Sequence, residues 1–600
     1  MLFKFSLDFL VVVPILGDMR NALLIRDGTV FDGTGAPGIR ADVRIEDGRI
    51  AAIARDLVVR PGETTIDADG CWVTPGFVDM HTHYDAELEI APALSESVRH
   101  GVTTIVLGSC GLSMATGRPV DLADMFCRVE GIPRSTVLPL LERVKDWNDP
   151  AGYLSHLDGL ALGPNVACFL GHSTIRAAAM GIDRALDINV RPSADEYRRM
   201  EALLEHALDA GYLGLSINTL PWDKMDGDAH RSQPTPSVFG TWSEYRRLMK
   251  PLRRRGRILQ GVPNISTKFN IVLFALASAG LLRRALKTTL LALMEPKADR
   301  FAAKIVGALA RLTNTLLRGN LRFQAVPNPF DLWTDGLEVP VMEEFGAGTR
   351  ALHETDPNRR ADLIRDPAFR KRFKREWNST FLGRAYHRDL DDTEILACPD
   401  GALVGRSFGA VARERRQDPI DTFLDLNAVH GNALRWYTVV ANDRPETLEW
   451  ILRHPDILIG FSDAGAHLRN MAYYNFPLRL LWRVKEAHAA GRSLMPIERA
   501  VHRLSGEIAD WLGLDAGHLV EGRRADVVIV DPAGLTPAVE RASEALMPGF
   551  DDLYRVVRRN DEAIRAVVIG GRLAFANGSV EEAFGRERGF GRVLRANCVS

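Results

Sequence analysis

The 600-residue chain has little of three things, and each scarcity narrows its class. Its six cysteines (Cys71, Cys110, Cys127, Cys168, Cys398 and Cys598) are scattered without C-x-x-C spacing, which offers neither a disulfide framework nor a structural zinc knuckle. A reducing, cytoplasmic setting is the expectation. Charge of one sign is also scarce: 75 Lys and Arg stand against 77 Asp and Glu, a formal net charge of -2. Nothing global recommends nucleic acid or an anionic surface as partner, and basic runs such as Arg253-Arg254-Arg255 read as solvated helix ends. Long apolar runs are missing too. The stretch Ile271 to Leu282 falls short of the ~20 residues that span a bilayer, so no integral membrane span is expected; it reads as a core or lid helix, with a membrane-associated surface left open. Residues 1–18 are apolar but interrupted by Asp8 and Pro14, and no A-x-A site follows. They read as an extension or a mis-called start, with Met19 a plausible beginning.

What is present is ordinary globular protein in quantity. With 46% hydrophobic and 25% charged residues, the chain is long enough for two or more cores and for an active site buried within one of them. The stretch that organises it is P-G-F-V-D-M-H-T-H-Y-D, Pro75 to Asp85. On a strand, side chains alternate faces, so His81 and His83 point the same way and two imidazoles on one face suit a shared metal ion. About 27 residues on comes V-R-H-G-V-T-T-I-V-L-G-S-C-G, a second apolar strand ending in Cys110. Consecutive strands delivering polar groups to one end is the habit of a parallel barrel.

The rest of the chain fits that habit. Both ends are strand-like: A-L-L-I-R-D-G-T-V-F-D-G and D-V-R-I-E-D-G-R-I-A-A-I near the start carry hairpin Asp-Gly pairs, and Gly522 to Pro532 with Ile564 to Gly578 answer them. Between lie eight strand candidates alternating with helical patterns: Phe77 to His83, Thr103 to Ser109, Asn165 to Gly171, Leu213 to Asn218, Ile258 to Pro263, Thr288 to Met294, Leu321 to Val326 and Ile457 to Asp463. The expected fold is α/β, a (β/α)8 TIM-like barrel with a small composite β-sandwich domain formed by both termini. The expected divisions are 19–75 and 506–600 for the sandwich and 76–505 for the barrel, with insertions near 222–241 and 330–398. The eighth strand ends I-G-F-S-D-A-G-A-H, placing Asp463 at the rim, either to serve a metal-bound water as base or to cap the next helix.

In these motifs, and over nearly its whole length, the chain resembles the amidohydrolase superfamily and within it the D-aminoacylases, the N-acyl-D-amino-acid deacylases. The resemblance implies a metal-dependent hydrolase of a non-peptide C–N bond, with His81, His83, Cys110 and Asp463 as metal ligands and Asp463 as the acid/base. Zinc suits His with thiolate. Weaker matches are His172 and Arg176 in L-G-H-S-T-I-R, His230 and Arg231 in H-R-S-Q-P-T-P-S, and Lys297 after M-E-P; these imply substrate binding, or a bracing role for His172 and loop anchoring for His230 and Arg231. Glu130 in R-V-E-G-I-P matches a subgroup motif. The departures are sharper. Where the family carries metal-binding histidines on strands five and six, this chain reads I-L-Q-G-V-P-N and L-A-L-M-E-P-K. Gln260, Met294 and Glu295 occupy the vacated region, so one zinc ion is expected rather than two, or a site completed by a residue such as Glu295. The expected partner is a small-molecule substrate, an N-acyl amino acid or similar. Two other readings stand beside it: a cyclic amidase or lactonase of the same superfamily, and a lapsed barrel serving as a binding scaffold. Oligomeric state is not legible.

Overall fold

The computed structural model describes residues 22–264, 267, 269–379 and 384–596. The expected 1–18 extension and Cys598 lie outside the described residues. Eight parallel strands form one sheet: Phe77–Asp79, Val102–Leu107, Asn165–Gly171, Gly214–Asn218, Ile258–Val262, Lys287–Leu290, Asn320–Gln324 and Ile457–Leu458. We number them strand one to strand eight. Strand two, V-T-T-I-V-L, is buried at every position, as a strand covered on both faces requires. The sheet closes on itself past the ends of strands one and eight. Met80 N donates to Gly460 O at 2.8 Å, His83 N donates to Ala464 O at 2.7 Å, and Thr82 bridges Ala464 in parallel. The fold is therefore the expected (β/α)8 barrel. Strands one, six and eight are shorter than their expected spans, ending at Asp79, Leu290 and Leu458.

Local chemistry explains how the chain turns. The helix Ala194–Ala210 between strands three and four starts at a capping box of Ser193 with Glu196 and stops at Gly211, which sits at φ +106°; each satisfies backbone groups that the helix ends leave open. Pro75-Gly76 at the entry to strand one has a packing reason. A Cβ at Gly76 would lie 1.8 Å from Thr103 Oγ1, so strand two approaches too closely for any side chain there.

Both ends of the chain join in a nine-stranded mixed sheet. Trp72–Pro75 pairs antiparallel with Val527–Val530, Val73 opposite Ile529, and this seam binds the two termini into one β-domain with a core of Val43, Ile45, Val73, Val527 and Ile529. Between strands seven and eight the chain builds a separate layer. There Phe330–Asp335, Glu394–Ala397 and Arg435–Ala441 form a three-stranded sheet, covered by helices around a core that includes Phe373, Trp377, Phe423 and Trp436. This layer stands over the rim of the barrel. Among the described residues, no helix is long and apolar enough to cross a membrane.

Candidate metal centre

The rim collects the residues that the strand ends carry. His81, His83 and Cys110 are buried, and one ligand atom from each lies within 4.8 Å of the others. Cys110 Sγ is 3.3 Å from His81 Nε2. Asp463 Oδ1 is 3.7 Å from His81 Nε2 and 3.4 Å from His83 Nε2. The His-x-His pair thus shares a face, as strand alternation requires. Two of the four residues sit at left-handed backbone positions, Cys110 at φ +53° and Asp463 at φ +57°. Such strain costs ~1–3 kcal/mol per residue and persists where surrounding structure enforces it.

Hydrogen bonds hold the group in place. His81 Nδ1 is 2.7 Å from Gln324 Oε1; as donor to that carbonyl it keeps the Nε2 lone pair free and aimed at Cys110 and Asp463. Gln260 Oε1 accepts from Cys110 N at 3.0 Å, and its Nε2 donates to Ser109 Oγ at 3.0 Å. The Ser462 hydroxyl bonds the buried Asp79 carboxyl, whose pKa burial pushes up to about 8; Ala464 N donates to the same hydroxyl at 2.9 Å. Strand one is thereby pinned to strand eight beside the ligands.

Burial governs the electrostatics. It pushes His81 and His467 down to about 4 and lowers His83, leaving neutral imidazoles. It raises the Cys110 thiol, and it raises Asp463 to about 7, with Asp223 adding to the effect. Neutral imidazoles, a thiol and a carboxyl in one dry spot are what a divalent cation converts into ligands, because its charge reverses the penalty on thiolate and carboxylate. His83 Nδ1 is buried without a hydrogen-bond partner, a further sign of unspent donor capacity. His81, His83, Cys110 and Asp463 therefore fit a metal ion, with both the donor types and the burial that zinc sites use.

The weaker candidates all have partners within the protein. His172 and Arg176 are buried around Glu244: His172 Nε2 lies 3.0 Å from Glu244 Oε1, Arg176 Nη1 donates to both its oxygens, and Ser237 Oγ holds His172 Nδ1 at 3.1 Å. Both are tied to Glu244 inside the wall, with Arg176 Nη2 buried and left without a hydrogen-bond partner. His230 faces Asp183 at 2.8 Å and Arg231 faces Asp226 at 3.3 Å, so both anchor their loop. Lys297 pairs with Asp392. Glu295 pairs with Arg444, and its backbone N donates to Asn442 Oδ1, so it does not complete the centre; Glu130 accepts from Ala86 N at 3.1 Å and is buried, not a solvated helix end.

Other residues join the site unforeseen. His83, Cys110 and Asp463 form the floor of a cavity whose walls are mostly apolar, including Leu220, Val262, Leu291, Met294, Phe323 and Phe461. His467 lines it, with Nε2 3.9 Å from Asp463 Oδ2. Asp223 lines it too, raised to about 7 by burial and held by Asn218 Nδ2 at 2.6 Å. Among the described lining residues Arg384 is the one Lys or Arg. The G-A-H sequence after Asp463 was a visible signal for His467. Gln324, Asp223 and Arg384 gave none, because an amide, a loop acid and an arginine carry no spacing rule.

No protein-family model matches the chain. An uncharacterized protein of Mycobacterium tuberculosis is 45% identical over 583 residues, covering 96% of this chain and 95% of its own length. The D-aminoacylase of Alcaligenes xylosoxydans xylosoxydans is 28% identical over 532 residues, 85% of this chain and 88% of that one. Among solved structures, the N-acyl-D-glutamate deacylase of Bordetella bronchiseptica, complexed with zinc and a phosphonate inhibitor, superimposes with a TM-score of 0.62 at 23% identity, over 96% of this chain and 99% of that one. A parallel barrel closed on a β-domain made from both termini is the amidohydrolase architecture. Homologues and structural neighbours of the chain are D-aminoacylases and N-acyl-D-glutamate deacylases of the amidohydrolase superfamily, and the chain is a metal-dependent amidohydrolase like them.

Proposed function

We propose that the protein removes the acyl group from N-acyl-D-amino acids, using one zinc ion held by His81, His83 and Cys110 with Asp463. The observation that carries this reading is the convergence of those four side chains on the floor of an apolar cavity. A bound zinc ion supplies a Lewis acid for the amide carbonyl and lowers the pKa of a water. The chain's own groups do the rest. Asp463, at Oδ1 or Oδ2, takes the proton from the attacking water and returns it to the leaving nitrogen, so that one carboxylate serves as base and then acid. Apolar walls such as Val262, Leu291 and Phe323 bury the acyl group and exclude bulk water. Arg384, whose pKa burial lowers, with Arg388 adding to that effect, is the candidate partner of the amino acid's carboxylate through Nη1, its Nε and Nη2 being held by Ser379 O. Named deacylases among the relatives support the substrate class. The reading places the enzyme in the cytoplasm, where Cys110 stays a thiol until metal binds.

The test is metal analysis with turnover. Protein purified without chelator should hold about one zinc per chain, lost in His81→Ala/His83→Ala. Asp463→Asn should keep most of the metal and lose ~10³-fold or more in kcat. N-acyl-D-amino acids should be cleaved and their L forms and hydantoins should not. Near-wild-type turnover in Asp463→Asn would remove the acid/base role, and two zinc ions per chain would show ligands beyond these four.

A further inference from the structure

Two neighbouring helices leave an apolar face uncovered beside the cavity. Nine of the nineteen large apolar side chains exposed among the described residues fall between residues 269 and 316. The first helix, Phe269–Ser278, exposes Phe269 (62%), Val272 and Leu276 (51%), a stripe at i, i+3 and i+7. The second, Ala302–Thr315, follows Phe301 (71%) and exposes Ile305 (65%) and Leu312 on one stripe, continued by Leu316. Lys304 and Arg311 on the second helix each adjoin an apolar stripe position, with Arg311 3.7 Å from Asp456, and Arg318 follows beyond the helix end. The two helices pack against each other, and the same pair walls the cavity: Ile271 comes from the first, Ala302 and Val306 from the second.

We infer that this helix pair docks the enzyme on an anionic lipid surface. An apolar stripe with lysines and arginines beside it, on helices that do not span, is the pattern of an interfacial helix, whose apolar face sinks ~5–10 Å into the headgroup boundary. Charge selects the occupant. The second helix and its flanks, residues 300–318, contain four Lys and Arg (Arg300, Lys304, Arg311, Arg318) and no Asp or Glu, a local +4 in a chain whose formal charge is -2. A second copy of this chain would bring the same positive charge to this face, whereas anionic headgroups neutralise it, and the Lys and Arg stems reach past the apolar stripe to the phosphates. Because the docked helices wall the cavity, an amphiphilic substrate partitioned in the lipid has a short way to Cys110 and Asp463. The docking itself does not depend on the deacylase reading.

Vesicle co-sedimentation of the full chain tests this, with phosphatidylcholine alone and with added phosphatidylglycerol. Wild type should sediment with the anionic vesicles, weakly with the neutral ones, and be released by salt. Ile305→Glu/Leu312→Glu should lower the partition by about tenfold or more, and Lys304→Glu should reduce the preference for phosphatidylglycerol several-fold, since each basic residue near an anionic surface contributes ~1 kcal/mol. All three positions are exposed, so circular dichroism and hydrolysis of a short, water-soluble N-acyl substrate should be unchanged in these variants. No sedimentation with either vesicle, or equal binding by the variants, overturns the inference. So does a wild-type dimer that Ile305→Glu splits while neither form binds vesicles, which would give the face to a second copy. Binding needs no turnover; a failed deacylase assay leaves these outcomes readable.

Discussion

Gln324 shows what a single side chain does for this centre. Its Oε1 lies 2.7 Å from His81 Nδ1, closer than the other amide there, Gln260 Nε2 at 3.2 Å, and as an acceptor it fixes the proton on that imidazole nitrogen. Gln324→Leu keeps the volume and removes the acceptor, so the ring loses its tautomer and its aim. Zinc affinity should fall about 10- to 100-fold, the usual cost of losing such a partner behind a metal-binding histidine. Competition with a chelator measures it; unchanged affinity would show that the packing of Phe461, edge-on to His81 at 5.1 Å, aims the ring alone. The same residue marks a boundary of sequence reading. His81, His83, Cys110 and Asp463 could be read because each follows closely on a strand and barrel strands end at one rim. Gln324 is 243 positions from the ring it holds, and nothing local ties an amide to that task. His172 and Arg176 show the opposite case: their motif is visible, but Glu244, which binds both side chains, is 72 and 68 residues away.

At the scale of elements, the short helix Ser95–Val98 joins the barrel to the β-domain through one carboxylate. Glu96 is buried; burial pushes its pKa up, but hydrogen bonds from His100 and Arg559 more than offset this and hold it well below the usual glutamate range. Arg559 Nε donates to Oε2 at 3.1 Å and His100 Nε2 lies 3.4 Å from Oε1. The sign follows from linkage. A depressed carboxyl contributes stability that is present above its unfolded pKa, about 4.3, and lost as pH falls through the folded value. Glu96→Gln should therefore lower stability at pH 7, by on the order of 2 kcal/mol, and the gap to wild type should close as the buffer is taken below pH 4. Thermal melts at the two pH values compare them, and a constant gap would assign the loss to packing. Strand existence was legible at this scale because apolar runs between helical patterns mark parallel units. The end of strand six was not. Leu291 to Met294 continue the apolar run of Lys287–Leu290 but line the cavity, and hydrophobicity alone does not distinguish a ladder from a cavity wall.

Across the whole molecule the two ends of the barrel have different work. The rim gathers Cys110 and Asp463, the groups proposed for the chemistry, and the opposite end is closed by residues 592–596. Val166, at the start of strand three, donates its N–H to Arg592 O at 2.9 Å, Leu594 N returns a bond to Val166 O at 2.7 Å, and Ala596 N donates to Gly211 O at 2.9 Å. Leu594 and Ala596 enter a core with Val106, Phe169, Leu213 and Trp511. The β-domain thus reaches under the barrel and seals it, a contribution to stability rather than to catalysis, as that end of such barrels generally makes. Leu594 is 5% exposed, so Leu594→Ala removes a buried side chain at a cost of about 2–4 kcal/mol. It should lower the melting temperature while zinc content, KM and the ratio of D to L turnover stay at wild-type values, because the substitution leaves the rim untouched. A Leu594→Ala protein that melts normally but has lost zinc would mean that the barrel transmits strain from floor to rim, and the separation of the two ends would have to be given up.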